Sequence, residues 1–353
     1  MDHTEALREI DALGPSTPAG RSALVSLTQA GAGGPEILAR LDKAIAAPLA
    51  RTTVDIGILL AHAQTAWTTD QRNPTAVRTR NSARRLIELV PDLPDGYRLL
   101  GFAHLSRCEY LDAFLALGAL KTLPSPLNLD NFRALARHLM TGVTQVGFDL
   151  AGQRYTFDLT THNAAAVESS AFHSVGALTE WDELQYLATV LDRPQRIVEV
   201  GVLLGNHTAF FLKAFAPTHV TLIDADPANL NFMRRSAACN LAPGPAPEVV
   251  IHCAFVGESV AEAVTFAGAR VPQRSLADLV SGPVDFLKID VDGGEVALLK
   301  GAATVIEQYR PPVMIETTST THEPVVAWFE ARKYAVRRVF DHDSYRNVVV
   351  MPT

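Results

Sequence analysis

The sequence predicts an open α/β sheet with mostly parallel strands, preceded by an all-α domain. Three observations carry this. Up to about residue 140, apolar residues recur only at helical spacing, as in "EILARLDKAIAAPLA" and "NSARRLIELV". From Arg196 onward, short strand-like runs alternate with helical ones. The chain closes on two strand-like runs around the turn "DHDSYRN", so the last strand runs antiparallel to its partner. A length of 353 residues suits two domains. They are expected at 1–145 (helical) and 146–353 (α/β). Within the second, 146–195 forms a lead-in hairpin and helix and 196–353 the sheet.

In the helical part, "PDLPDGYRLLGFAHLSRCEYLDAFLALGALKTLPSP" is the most specific segment. Tyr97, Leu100, Gly101 and Ala113 stand at the offsets of a tetratricopeptide repeat, and Pro124 closes it one position early. Gly101 lets a second helix approach, and Ala113 sits where that helix packs on the first. One repeat cannot bury its own face, so neighbouring helices must complete a small solenoid. "RTRNSARR" (78–85) carries four arginines in eight residues. Two readings stand for it: a solvated helix face, or a dock for an acidic partner or anionic sugar.

Next, "VGFDLAGQRYTFDL" alternates around Ala151 and Gly152, which predicts a hairpin. "TEWDELQYLATVL" predicts an amphipathic helix with Thr179 as N-cap and Pro194 beyond its end. The strands that follow are "RIVEVG", "HVTLIDAD", "EVVIHCAFVG", "PVDFLKIDVD" and "PPVMIET", separated by helices, then the closing pair. In such sheets ligands bind beyond the carboxyl ends of the strands, where the strand order reverses.

Composition narrows the function. Hydrophobic residues make up 48% and charged residues 20%, with a formal charge of −7. That balance argues against a nucleic-acid partner, which needs a basic face. The longest clean apolar runs, such as "IGILLA", are too short to span a bilayer, and "MDHTEALREIDALG" lacks the basic start and apolar run of a signal peptide. Cys108, Cys239 and Cys253 are odd in number and far apart, which argues against a disulfide framework or a zinc site. A reducing, cytoplasmic setting is expected.

The chemistry sits at the strand ends. "VEVGVLLGNHT" gives Glu199, Gly201 and Gly205 an E-x-G-x-x-x-G spacing. Gly201 allows a tight turn and close approach of a ligand to the backbone. Gly205 lies at a helix start, whose free N–H groups can meet a carboxylate or a polar cofactor. Leu203 stands where the dinucleotide pattern needs its second glycine, so a nicotinamide-dependent oxidoreductase is disfavoured, as it is by the closing hairpin. In "LIDADPAN", Asp224 is placed to accept hydrogen bonds from a ribose diol, while Asp226 before Pro227 suits a helix start. His252 and Cys253 end the third strand, where a base would pack.

The fourth strand and its helix read "LKIDVDGGEVALLKGA". Asp290 and Asp292 share one side of an extended chain, as does Lys288. Glu295 opens the helix, where negative charge is favoured. Glu316 ends the fifth strand, with His322 and Glu323 in the next loop.

These motifs, in this order, resemble the FkbM-type S-adenosylmethionine-dependent methyltransferases over about 175–353. "LKIDVDGGEVALLKGA" is similar to their K-I-D-x-E-G-x-E-x-x-x-L-x-G, "VEVGVLLGNHT" to D-x-G-A-N-x-G-x-x-T, and "LIDADPAN" to E-P-x-P-x-N. The resemblance implies the class I methyltransferase fold, a Rossmann-like seven-stranded sheet with a C-terminal antiparallel hairpin. It implies S-adenosylmethionine as cofactor, with Glu199, Gly201 and Gly205 on its methionine part, Asp224 on its ribose and Asp290 beside its methyl group. Asn206, Ala225 and Cys253 join them as cofactor-binding residues. It also implies methyl transfer to a hydroxyl of a sugar, glycan or similar natural-product acceptor.

The departures concern acids: Asp292 stands for a glutamate, Glu199 for an aspartate, and Asp224-Ala225 for Glu-Pro. Asp290 and Asp292 are the first candidates for the base that takes the acceptor proton, followed by Glu295 and His322. A divalent metal is not expected, although three carboxylates in six residues could hold one. Lys288 is placed to pair with a neighbouring carboxylate. The helical domain is expected to recruit a glycan, a carrier or a protein partner. The competing reading is a tetratricopeptide-like scaffold carrying an inactive methyltransferase fold.

Overall fold

The structure, a computed structural model, describes residues 3–29, 33–49, 52–69, 73–120, 123, 129–260, 262–266, 268–342 and 344–353. The chain forms two compact units, Met1–Thr144 with Leu159–Val175, and Gln145–Asp158 with Gly176–Thr353.

The first unit is helical among the described residues: His3–Leu13, Pro18–Gln29, Pro35–Ala46, Thr53–Thr69, Asn73–Leu89, Pro94–Ser106, Tyr110–Ala119, Asp130–Met140 and Ala164–Ser174. The last of these was not singled out in the sequence. In Pro35–Ala46 the buried residues are Ile37, Leu38, Leu41 and Ala44, one stripe of a 3.6-residue period. Ile37, Leu41 and Ala44 pack with Leu24 and Ile58, and the Arg21 guanidinium meets the Asp55 carboxylate at 2.7 Å beside them. Both ends of that pair are buried. Helices Pro94–Ser106 and Tyr110–Ala119 form a hairpin through a short turn, with Leu99, Ala103, Ala113 and Leu117 buried. Gly101 makes the crossing close: a Cβ there would stand 2.6 Å from Cγ of Leu117. Pro124 lies outside the described residues. The arginine run is largely spent within the unit. Arg80 reaches Glu109, Arg78 reaches Asp42, and Arg85 donates to the Ile45 carbonyl.

The second unit begins with an antiparallel hairpin, Gln145–Leu150 on Gln153–Asp158. Helix Trp181–Val190 follows. Its N-cap position is held by Glu180 in a left-handed conformation (φ 56°), with no side-chain cap, so the expected cap at Thr179 is not formed. The centre of the unit, among the described residues, is a seven-stranded sheet. Its strands are β1 (Arg196–Val200), β2 (His219–Asp224), β3 (Glu248–Cys253), β4 (Phe286–Ile289), β5 (Val313–Thr318), β6 (Tyr334–Asp341) and β7 (Tyr345–Pro352). Their order is β3-β2-β1-β4-β5-β7-β6, parallel from β3 to β5, with β7 antiparallel to both β5 and β6. The order reverses between β1 and β4, which places a crevice at their carboxyl ends.

Helices Asn206–Ala214, Leu230–Cys239, Glu295–Tyr309 and His322–Glu330 connect the strands. The valine- and isoleucine-rich strands are buried on both faces, as parallel sheets between helices require. One face carries Val198, Val200, Leu287, Ile289 and Ile315; the other carries Ile197, Phe286, Met314 and Val349. The segment between β3 and β4 holds four short strands that the sequence analysis did not resolve, Phe255–Val256, Val264–Phe266, Ala269–Val271 and Gln273–Arg274. Among the described residues no helix is long and apolar enough to cross a membrane.

Replacing Gly101 by Ala forces a methyl onto buried Leu117. It should destabilise the helical unit by about 1–3 kcal/mol, the usual range for overpacking. Urea unfolding followed by circular dichroism measures this; an unchanged midpoint would mean that the hairpin is looser than described.

Candidate active site

The site grows out of the apolar sheet face. Strand pairing sets Ile197 beside Phe286, and Met314 beside Val349. Two residues nearer the rim, the same face carries Glu199 beside Lys288, and Glu316 beside Asn347. Each of these strands thus sets a buried polar group one step above an apolar one, and across the sheet Met314 lies level with Lys288. Among the polar groups Lys288 is only 1% exposed, and its ammonium lies 2.6 Å from Oδ2 of Asp290. Burial alone would lower its pKa, but the charges of Asp290, Glu180 and Glu199 outweigh that and raise it.

Two partners close this layer from outside the strands. Glu180 turns inward from its left-handed position and meets His207 Nε2 at 2.7 Å. Burial would raise the Glu180 carboxyl; the close charge of His207, with Lys288 behind it, holds it well below the usual range. Glu199 is fully buried, with Oε2 accepting from the Thr208 hydroxyl at 2.5 Å and Oε1 4.0 Å from His207 Nδ1. Desolvation pushes its carboxyl up. It therefore anchors the first turn of helix Asn206–Ala214 from beneath. Glu199 has no exposed surface to offer the cofactor expected beside it.

The loop after β1 is equally closed on itself. Gly201 has φ 80°, and a Cβ there would stand 1.6 Å from the Asp290 carbonyl oxygen. The glycine admits the neighbouring strand end against its backbone. Asp224 accepts from the Val202 and Leu203 N–H groups through Oδ2, and from the Asp226 N–H and the Asn229 amide through Oδ1. Four donors fill the acceptor positions of a carboxylate. Asp224 is thus the brace of the loop, and the expected ribose contact would have to displace one of these bonds. Burial raises its pKa against the pull of these donors. Asn206 is spent in a reciprocal pair with the Thr179 backbone, at 3.1 Å each way. Its side chain is therefore engaged within the protein, and its backbone N–H stands in the first turn of the helix.

Other expected residues lie at the rim. Ala225 and Cys253 are half-buried, and Cys253 is in register with Asp224. Asp226 accepts from the Ala228 N–H at 2.9 Å, opening the turn before helix Leu230–Cys239. Gly205, left-handed, precedes Asn206–Ala214, whose first-turn N–H groups have no partner inside the helix. His252 Nε2 is a buried ring nitrogen without a hydrogen bond.

Beyond Lys288 stands a group of carboxyls. Asp292 keeps an exposed edge in a left-handed turn (φ 48°), yet protein crowds most of its carboxyl. That desolvation, with the charges of Asp290 and Glu295, pushes it up to about 6. Glu316, 8% exposed, is pushed up to about 9 by burial and then by Asp290. The two further base candidates are otherwise engaged: Glu295 accepts the Gly293 N–H at 2.7 Å, and His322 Nδ1 lies 3.0 Å from the Thr317 hydroxyl. Sequence reasoning missed Glu180, His207 and Asn347: Glu180 and Asn347 lie outside the motifs, and His207, inside "VEVGVLLGNHT", stands at none of the positions that the motif specifies.

This architecture is the α/β methyltransferase fold, with its closing antiparallel hairpin and an added helical region. Residues 199–336 match the family model of the Methyltransferase FkbM domain. Among solved structures, the FkbM methyltransferase of Methylobacillus flagellatus is 18% identical, with a TM-score of 0.42 over 76% of this chain; the chain spans 65% of that protein. The ribosomal protein L11 methylase of Lactobacillus delbrueckii subsp. bulgaricus is 11% identical, with a TM-score of 0.36 over 49% of this chain and 78% of that one. M. jannaschii TYW2, solved with AdoMet, is 10% identical, with a TM-score of 0.36 over 59% of this chain and 85% of that one. No curated protein matches the sequence.

The Lys288→Met variant leaves Asp290, Glu180 and Glu199 without their shared cation. Removing one partner of a buried ion pair costs roughly 3–5 kcal/mol. Chemical denaturation of the variant should show a loss in that range, and wild-type stability would contradict the description of the polar layer.

Proposed function

We propose that this chain is an S-adenosylmethionine-dependent methyltransferase that methylates a hydroxyl of a sugar, glycan or similar natural-product acceptor. The observation that carries the reading is the Lys288–Asp290 pair, set at the reversal of strand order beside the Gly201 loop. The rim suits a cofactor that joins an amino acid to a nucleoside. The first-turn N–H groups after Gly205 suit its carboxylate. The stretch from Asp224 to Asp226 and Cys253 borders its nucleoside, where the orphaned His252 nitrogen offers a partner for a base.

The cofactor supplies a methyl group already activated as a sulfonium. The protein has two remaining tasks. It must hold the acceptor oxygen in line with that methyl, and orientation of this kind is worth up to about 7–11 kcal/mol. It must also draw off the hydroxyl proton, which contributes roughly 10²–10⁴-fold. Asp290 and Asp292 stand at the rim for the second task, and Lys288 keeps Asp290 in place.

The helical unit is read as a tetratricopeptide-like region that recruits the acceptor, a carrier or a protein partner. Tyr97, Leu100, Gly101 and Ala113 on one packed hairpin support that. We place the boundary between the two functions near residue 145. The three free cysteines fit a cytoplasmic setting.

S-adenosylhomocysteine, titrated into the full chain by calorimetry, should bind at one site; no binding at millimolar ligand would leave the scaffold reading standing. Asp224→Ala, which removes the brace of the loop, should weaken that binding about tenfold or more. An unchanged affinity in this variant would take the Gly201 loop out of the site.

A further inference from the structure

The carboxyls beyond Lys288 carry a further reading. Asp290, Asp292 and Glu316 each offer an oxygen, and these oxygens lie within 4.8 Å of one another. Asp290 and Asp292 follow β4, whereas Glu316 comes from β5. Acids gathered at a rim prove little by themselves.

Glu316 is the separate observation. It is 8% exposed, and among the described residues it makes no hydrogen bond, although its carboxyl is aimed at the two aspartates. Four acids nearby have a partner on at least one oxygen. Glu199 has Thr208, Glu180 has His207, Asp290 has Lys288, and Glu295 has the Gly293 N–H. A carboxyl on so buried a residue, with no protein donor and its oxygens open to the crevice, is placed to take water or a cation.

We propose that Asp290, Asp292 and Glu316 form a binding site for a hard divalent cation of the Mg²⁺ type. An all-carboxylate oxygen set is what such ions take, with water filling the remaining positions. Octahedral ligands at about 2.1 Å stand roughly 3–4.2 Å apart, so small side-chain movements close the cluster on an ion. The Lys288 ammonium occupies only part of Asp290, because a carboxylate has further lone pairs for a second cation. A cation here lowers the pKa of a hydroxyl beside it, which is the task the proposed function leaves to these acids. That role rests on the methyl-transfer reading; the binding itself does not. The site was illegible in the sequence, where no metal ligand was assigned, because Glu316 joins the two aspartates only through strand pairing.

The test uses the full chain, stripped with a chelator and free of cofactor, with Mn²⁺ as the probe read by electron paramagnetic resonance. One saturable site per chain is expected. Glu316→Gln and Asp292→Asn should each weaken it about tenfold or more. Asp292 is exposed, so its variant keeps the test decisive if the Glu316 variant fails to fold. Absence of saturable Mn²⁺ binding at millimolar concentration overturns the proposal, as does binding that neither substitution moves. S-adenosylhomocysteine calorimetry on the same stripped protein separates the two readings. Cofactor binding without Mn²⁺ binding removes the cation site and leaves methyl transfer intact.

Discussion

A single buried ammonium organises this site. Lys288 lies at the end of β4 with almost no exposed surface, and the carboxylates of Asp290, Glu180 and Glu199 surround it. They come from the end of β4, the segment before helix Trp181–Val190, and β1. A lone ammonium could not stay charged at that depth, and three carboxylates could not stay together without it. The mutual requirement fixes where these elements meet. It also holds Asp290 at the reversal of strand order, where its carbonyl packs into the space that Gly201 leaves by lacking a side chain.

The polar layer works because an apolar layer supports it. Each on its own strand, Ile197, Phe286, Met314 and Val349 stand one step below Glu199, Lys288, Glu316 and Asn347, with Met314 level with Lys288. Closely packed side chains below leave the charged groups little freedom to relax. The left-handed loop from Gly201 to Gly205 adds a second constraint. Its N–H groups are collected by Asp224, so the loop and the end of β2 form one rigid rim. Rigidity of this kind is what an oriented transfer reaction demands.

Much of this was legible in the residues. The alternation of strands and helices from Arg196, with the closing hairpin, foretold a parallel sheet ending in an antiparallel pair. Leu203, standing where the dinucleotide pattern needs a glycine, disfavoured a dinucleotide turn. The parity of Lys288 and Asp290 foretold that they could pair, and they do, at 2.6 Å. What could not be read was the direction in which groups are spent. Spacing suggested that Asp224 faces a ribose, but only the left-handed turns show two loop N–H groups aimed at its carboxylate. Glu199 looked like a ligand residue because of its place in a motif, yet strand pairing puts it a layer too deep. Glu180 carried no reading of its own. Its inward turn depends on a backbone conformation (φ 56°) that no local pattern announces.

The account's central claim is that the reversal of strand order, braced by Lys288, is where a methyl-donating cofactor binds. A crystal structure of the full chain with S-adenosylhomocysteine tests it most directly. The account predicts the ligand in the crevice between the Gly201 loop and Asp290, with its nucleoside end toward Asp224 and Cys253 and Lys288 still paired to Asp290. A ligand bound elsewhere, or a Lys288 side chain turned away from Asp290 in the complex, would contradict it.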